Sequence, residues 1–112
     1  MASSAGGVAK GAYRVLYRAV NMGEGADLAA NGLFKNIREI ETKYFSETLE
    51  GAISFAAKAS EKFGDVLTVV RTRISTQSIA SEMRVSVDSG IPAVVVPTSK
   101  LPLLSKPTWV KQ

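Results

Sequence analysis

Basic residues with a tyrosine beside them recur at helical spacing near the start of the sequence. Lys10, Arg14 and Arg18 are four residues apart, and Tyr17 precedes the last of them. At that spacing the three cations line one face of a helix, opposite an apolar face. A guanidinium group is a flat, permanently charged fork that binds phosphate or carboxylate. The pattern predicts either a surface for an anionic partner or an ordinary solvated basic face with Tyr17 covering a helix edge.

The sequence contains no cysteine and no histidine. Thiolate nucleophiles, disulfides, histidine-based catalytic triads and most transition-metal sites need one of these residues. The carboxylate pairs Glu39/Glu41 and Glu47/Glu50 imply no cleft, so we interpret them as solvated helix residues. We therefore expect a protein that is not an enzyme and has no metal and no cofactor of its own.

The net charge of +4 is unevenly distributed, because both ends of the sequence are basic and the middle is acidic. The sign alone suits RNA, an anionic membrane or an acidic protein equally well. RNA binding favours aromatic residues interleaved with basic ones on a sheet, or a dense basic cluster. Arg71, Arg73 and Arg84 form only a loose cluster. An RNA-associated organellar subunit is therefore an alternative, and nucleic acid is not the expected partner.

The spacing of apolar residues predicts helices over residues 8–19, 30–45 and 49–74. In each segment the apolar residues recur three or four positions apart, and in the third they follow a heptad pattern. Ser46 and Thr48 are candidate N-caps for a break between the second and third helices; without that break the two form one long arm. The predicted fold class is mainly α, as a three-helix bundle or a helical hairpin.

The C-terminal part of the sequence has a different pattern. All four prolines lie within the last 21 residues, and alternating apolar residues predict short strands near 83–87 and 93–96. The large apolar side chains of this part, including Trp109, are too numerous for a solvated linker. We expect a helical domain over residues 1–76, followed over 77–112 by a strand-like, proline-spaced extended arm. This arm packs either on its own helices or on a neighbouring subunit.

Targeting signals are scarce in the sequence. No stretch reaches the ~18 apolar residues that span a bilayer, and no charged segment precedes an apolar one as in a secretory signal. The first 23 residues contain arginine, lack acidic residues and have helical amphipathicity, as organelle-targeting segments do. We expect a protein that is not secreted and whose contact with membranes is only peripheral.

Leu16-Tyr17-Arg18 resembles the motif at the start of the LYR-motif family, whose members are small, basic, three-helix mitochondrial proteins. Ile37-Arg38 leads to Phe45, 29 positions after the leucine, much as basic residues precede a phenylalanine in the family's second helix. Residues 65–71 look like the Leu-rich, basic turn that ends the third helix. The resemblance covers residues 10–73.

The resemblance implies a non-catalytic accessory subunit or assembly adaptor of a larger mitochondrial complex, such as a respiratory complex. Family members bind acyl carrier protein, whose acylated phosphopantetheine arm inserts between the three helices with the motif's tyrosine and arginine at the mouth. A helical-hairpin subunit of a stalk or filament is the alternative among structural proteins. The predicted partner-binding residues are Lys10, Arg14, Tyr17, Arg18, Phe45 and Trp109.

Overall fold

The computed structural model describes residues 12–35, 42–64, 66–87 and 90–110. These residues form a six-stranded antiparallel sheet with two α-helices and three short 3-10 helices. The strand order in the sheet is β4-β5-β2-β1-β3-β6. In chain order the strands and α-helices are β1 (Tyr13–Val20), α1 (Met22–Asn31), β2 (Thr42–Ser46), α2 (Leu49–Phe63), β3 (Thr68–Ser75), β4 (Arg84–Val87), β5 (Ile91–Pro97) and β6 (Thr108–Trp109).

The predicted mainly-α fold is wrong, and the first predicted helix shows why. Adjacent apolar residues such as Leu16 and Val15 fit the apolar stripe of a helix. In the structure they belong to β1, which lies inside the sheet between β2 and β3. Successive residues of a strand point to opposite faces. Leu16 therefore packs in the core on one face, whereas Val15 is half-buried on the other, which α2 covers only in part.

The second predicted helix is displaced toward the N-terminus. α1 starts directly after Asn21, whose side chain accepts a hydrogen bond from the Glu24 backbone N–H at 2.9 Å. It ends at Gly32, which adopts the left-handed conformation with φ 71°. Residues 36–41 of the predicted helix lie outside the described residues, and 42–46 form β2. A glycine that tolerates positive φ thus ends the helix near where the prediction began it.

The third predicted helix is shorter than its heptad pattern suggested. Thr48 caps α2 as predicted, because its hydroxyl accepts a hydrogen bond from the Gly51 N–H at 3.0 Å. The helix ends at Gly64, where φ is 76°. Beyond it, β-branched residues of the segment 68–75 favour a strand, and this segment is β3. The heptad spacing continued across the boundary, whereas the helix did not.

The two strands predicted in the C-terminal part are confirmed as β4 and β5. β5 pairs with β4 and β2, so this part belongs to the same sheet as the N-terminal strands. Leu101 and Leu104 are buried and belong to the core cluster. The sequence predicts that the arm packs either on its own helices or on a neighbouring subunit. The burial of these two leucines shows that they pack on their own chain.

The main core lies on one face of the sheet. α1 contributes Leu28, the 3-10 helices contribute Met83 and Leu101, and the strands contribute one alternate set of side chains. α2 packs on the opposite face, where Ala19 and Val69 are buried. The core cluster comprises Leu16, Val20, Leu28, Phe34, Phe45, Val70, Ile74, Met83, Val94, Val96, Leu101 and Leu104.

Candidate functional site

The sheet face that carries α2 is only partly covered by the helix. On the part of this face that α2 leaves uncovered, β1 and β3 present a group of side chains that we call the Tyr–Arg face. Arg71 and Arg73 are exposed, and Tyr13 keeps 59% of its surface exposed. The group consists of Tyr13, Val15, Tyr17, Arg71 and Arg73, which share one face because they alternate with core residues along each strand.

The register of β1 and β3 determines the neighbours within the Tyr–Arg face. Arg71 lies directly opposite Tyr17, and Arg73 lies directly opposite Val15. Such cross-strand neighbours have Cβ atoms about 4.5–5.5 Å apart, so their side chains are adjacent. The Arg73 guanidinium also lies 5.7 Å from the centre of the Tyr13 ring. Aromatic and cationic side chains therefore alternate across this surface.

A third cation, Lys106, lines the same depression as the two arginines. The segment before β6 holds it there. Ser105 donates its backbone N–H to the Arg73 carbonyl at 2.9 Å, and its hydroxyl accepts from the Arg73 N–H at 2.9 Å. The buried hydroxyl of Thr72 donates to the Ser105 carbonyl at 2.6 Å. These bonds attach the segment along the edge of β3, from which the aliphatic chain of Lys106 lies beside Gly32 at the C-terminal end of α1. The cations of the Tyr–Arg face itself are Arg71 and Arg73.

The charges of this surface are not neutralised within the described residues. Asp and Glu side chains there form ion pairs with Arg14, Arg18, Lys35 and Lys43, whereas none lies within 4.0 Å of a basic group on Arg71, Arg73 or Lys106. The residues that line the depression include none with an acidic side chain. The surface therefore carries net positive charge.

A cleft opens beside this face, between β1 and β2. The two strands have a single register pair, Tyr17 opposite Ser46, whereas β1 and β3 have eight. Past that pair the Arg18 side chain lies between the strands, and its terminal N–H donates to the Tyr44 carbonyl at 2.9 Å. The guanidinium thus donates the hydrogen bond that the Tyr44 carbonyl would accept from the backbone N–H of a neighbouring strand in a regular ladder.

The β1–β2 cleft has a volume of about 290 Å³. Its walls are mainly aromatic and small apolar side chains, with the rings of Tyr44 and Phe55 about half exposed. Ser46 supplies a hydroxyl, and no acidic residue lines it. The lining residues are Tyr17, Arg18, Ala19, Tyr44, Phe45, Ser46, Gly51, Ala52, Phe55, Ile91 and Ala93.

Glycine at position 51 allows α2 to approach the cleft closely. A Cβ there would lie within 3.0 Å of the side chains of Ser46, Ile91 and Thr48, a separation that real Cβ atoms essentially never show. Because Gly51 has no side chain, the first turn of α2 rests directly on β2 and β5. This contact orients Phe55, one turn further along the helix, toward the cleft.

Arg18 is held by an acidic partner on α1. Its Nε and one terminal nitrogen donate to the two carboxylate oxygens of Glu24 at 2.7 and 3.0 Å. The Lys43 ammonium lies 3.6 Å from the same carboxylate. The guanidinium also lies over the Phe45 ring, 5.8 Å from its centre. These contacts fix Arg18 at the floor of the cleft and compensate its charge.

The structure separates the residues that the sequence grouped as partner-binding. Lys10 lies outside the described residues, and Arg14 pairs with Glu47 at 3.3 Å. Phe45 is fully buried and makes an edge-to-face contact with Phe34, with ring centres 5.1 Å apart. Trp109 lies on the edge strand β6 and is 44% exposed. Tyr17 and Arg18 remain neighbours, but they point to opposite faces of β1.

Sequence reasoning undervalued the arginines of β3 and missed the aromatic residues of the cleft. Arg71 and Arg73 were grouped with Arg84, which lies on β4 at the far edge of the sheet. Their period-two spacing in a β-branched segment would have indicated one exposed strand face. Tyr44 and Phe55 carried no comparable signal, because the sheet topology alone brings them together.

Searches of the described part of the chain for two other kinds of site were negative. No helix there is long and apolar enough to cross a membrane. No group of three or more potential metal-binding side chains was found among the same residues. No family model matches the chain, and no match was found among the curated proteins or the solved structures.

Proposed function

We propose that the protein binds single-stranded nucleic acid through the Tyr–Arg face. The observation that carries the proposal is the cross-strand arrangement on β1 and β3. Two exposed arginines lie opposite Tyr17 and Val15 on an open sheet surface, and neither has a carboxylate partner among the residues described. Aromatic residues interleaved with basic ones on a sheet are typical of proteins that bind unpaired nucleotides.

Each part of this surface has a role in such binding. Arg71 and Arg73 supply positive charge for the phosphates, and guanidinium groups bind phosphate in a bidentate manner. Tyr13 and Tyr17 offer rings on which bases stack, independently of sequence, since every base has an aromatic face. Cationic and aromatic side chains alternate on this surface, and every nucleotide of a nucleic-acid strand likewise carries one charged phosphate and one aromatic base.

A single strand fits this surface better than a duplex. The surface is a sheet face two strands wide, and its rings contact bases only when those bases are unstacked. In a duplex the base faces are stacked on one another, so only the two arginines would contribute. We therefore expect single-stranded RNA or DNA to bind more tightly than a duplex of equal length.

The accessory-subunit function, with acyl carrier protein as partner and a mitochondrial location, stays a prediction. Two side chains that it requires at the partner surface are engaged within the chain: Arg18 with Glu24, and Phe45 in the core. Salt separates the two hypotheses. Binding to a phosphate backbone weakens steeply and log-linearly with salt, whereas an apolar protein interface does not.

Fluorescence anisotropy with a labelled ten-nucleotide oligouridine tests the proposal. Two phosphate contacts to a single strand give a slope of about −1.4 in a plot of log affinity against log salt concentration. We expect an affinity loss of about sevenfold between 50 and 200 mM NaCl. Replacing Arg71 or Arg73 by alanine removes a charge-assisted contact, so the affinity should fall about tenfold and the slope by about 0.7.

The matched control is Arg84→Ala, which removes the same charge from an exposed residue on the opposite edge of the sheet. Its affinity should stay within about twofold of the wild type. Equal losses in Arg84→Ala and Arg71→Ala, or an affinity independent of salt, would contradict the proposal. The exposed arginines contribute little to folding, so the variants should unfold within about 0.5 kcal/mol of the wild type.

A further inference from the structure

We infer that the β1–β2 cleft receives one base of the bound strand, turned away from its neighbours. This inference rests on the proposed function and assigns a second part of the same site. Tyr17 lines both the cleft and the depression that holds Arg71 and Arg73. The two depressions therefore meet at one side chain, and a strand bound on the Tyr–Arg face has a base within reach of the cleft.

The size of the cleft limits what it can hold. Its volume of about 290 Å³ lies at the lower end of the range for small-molecule sites, roughly 300–1,000 Å³. A single base with part of its sugar is a ligand of that scale, whereas two stacked nucleotides are not. Because Tyr17 lines both the cleft and the neighbouring depression, the rest of the strand can lie outside the cleft.

The chemistry of the walls favours a base over a phosphate. The rings of Tyr17, Tyr44 and Phe55 provide surfaces for stacking, and the Tyr44 hydroxyl is available to hydrogen-bond a base edge. The Ser46 hydroxyl accepts the Thr48 N–H at 3.3 Å and keeps its own proton to donate. The lining contains one charged group, the Arg18 guanidinium. Three of its N–H groups already donate, two to Glu24 and one to the Tyr44 carbonyl. With that charge compensated, the cleft suits a neutral aromatic ligand.

The division of charge between the two depressions supports one extended ligand. Arg71 and Arg73, which lack carboxylate partners in the described chain, lie along the Tyr–Arg face, and most of the aromatic surface lies in the cleft. A nucleotide has the same division, with its phosphate at one end and its base at the other. The register places Arg71 directly opposite Tyr17, at the boundary between the two.

The test compares two oligomers of equal length and charge: oligouridine, and an abasic oligomer that has the same sugar–phosphate backbone without bases. Stacking accounts for the difference between them, so the wild type should bind oligouridine about tenfold more tightly. Phe55→Ala and, independently, Tyr44→Ala should each lower this preference several-fold, toward the level that stacking on Tyr13 and Tyr17 supplies, while leaving the affinity for the abasic oligomer unchanged. Both residues are about half exposed, and circular dichroism and thermal unfolding verify that each variant folds.

Two control variants complete the design. Ile53→Ala truncates an exposed residue of α2 that does not line the cleft, and it should keep the full preference for bases. Arg71→Ala should weaken both oligomers by the same factor, because it removes a phosphate contact. A loss of affinity for oligouridine alone thus indicates the cleft, whereas an equal loss of affinity for both oligomers indicates the Tyr–Arg face.

Each outcome decides the inference. If Phe55→Ala and Tyr44→Ala weaken both oligomers equally, or leave the preference intact, the cleft does not receive a base, although the Tyr–Arg face still binds the strand. If the wild type binds neither oligomer, the proposed function fails and the inference fails with it. Saturable binding of free uridine without binding of either oligomer would overturn both and define the cleft as a small-molecule site.

Discussion

β1 has two neighbours in the sheet and is attached to them in different ways. With β3 it forms a continuous antiparallel ladder from Tyr13 to Val20; with β2 it pairs only where Tyr17 faces Ser46. The continuous ladder produces a flat surface on which side chains have fixed neighbours. The interrupted one produces a cleft, and side chains replace the missing backbone bonds. The same central strand thus contributes to both depressions of the candidate site.

The comparison shows where the stability of each junction originates. Backbone hydrogen bonds hold β1 to β3 regardless of which residues face outward, so exposed positions there are free to carry arginine. At the junction with β2, Phe45 packs against Phe34, and Arg18 bonds to Glu24 and to the Tyr44 carbonyl. We therefore expect substitutions on the β2 side to destabilise the fold more than comparable ones on the β3 side.

The largest effect is expected from Phe45→Ala. The ring is fully buried where few ladder bonds connect β2 to β1, so its loss should lower the free energy of unfolding by about 3–5 kcal/mol. Urea unfolding followed by circular dichroism measures the change. Val70→Ala, at a fully buried position of β3, should lower it less, because fewer atoms are removed and the ladder remains. A larger loss in Val70→Ala would contradict the comparison.

A smaller loss is expected from Glu24→Gln. The change leaves the Arg18 guanidinium without its charged partner, although the side chains of both residues keep about a fifth of their surface exposed, 21% and 19%. Because solvent moderates the loss, we expect about 2–3 kcal/mol in the free energy of unfolding. Asp27→Asn is the matched control, since its ion pair with Lys35 is more exposed; it should change stability by about 0.5 kcal/mol. Equal effects of the two substitutions would disprove a special role for Glu24.

The smallest of the three effects is expected from Gly51→Ala, and its sign is informative. In the interior of a helix, alanine is about 1 kcal/mol more favourable than glycine. At position 51 the added methyl group collides with Ser46 and Ile91, so we expect a net loss of about 1–2 kcal/mol. Gly23→Ala, where the nearest atom is 3.6 Å away, should instead be neutral or stabilising. Thermal unfolding of both variants compares the signs, and stabilisation by Gly51→Ala would refute the close approach of α2.

Local signals predicted part of the fold correctly. The alternation around Val85 and the β-branched run near Val95 predicted β4 and β5, and Thr48 was identified as a cap. These signals depend on neighbours in the sequence, where turns and caps act directly. The charge of residues 1–23 and the absence of histidine and cysteine likewise needed no knowledge of the fold.

The remaining elements could not be assigned from local patterns. Leu16 and Val20 are four residues apart, which fits one face of a helix and also fits one face of a strand, because four is a multiple of two. Helix and strand periods therefore coincide over a strand as short as β1, where apolar residues also occur on the second face. The cleft could not be predicted for another reason. Tyr44 and Phe55 belong to different elements, and they line one cleft only because the sheet order places β1 between β2 and β3.

The closure of the outer edge of β3 has a consequence for self-association. β6 pairs with only two residues of β3, but the backbone N–H groups of Ser105 and Val110 bond to the carbonyls of Arg73 and Val69 on either side. The chain's own C-terminal segment thus occupies edge positions that, if open, would be a template for strands of other molecules. Loss of this segment would expose the edge beside Arg71 and Arg73, so the truncated chain should aggregate, and under the proposed function its binding of nucleic acid should weaken with the same truncation.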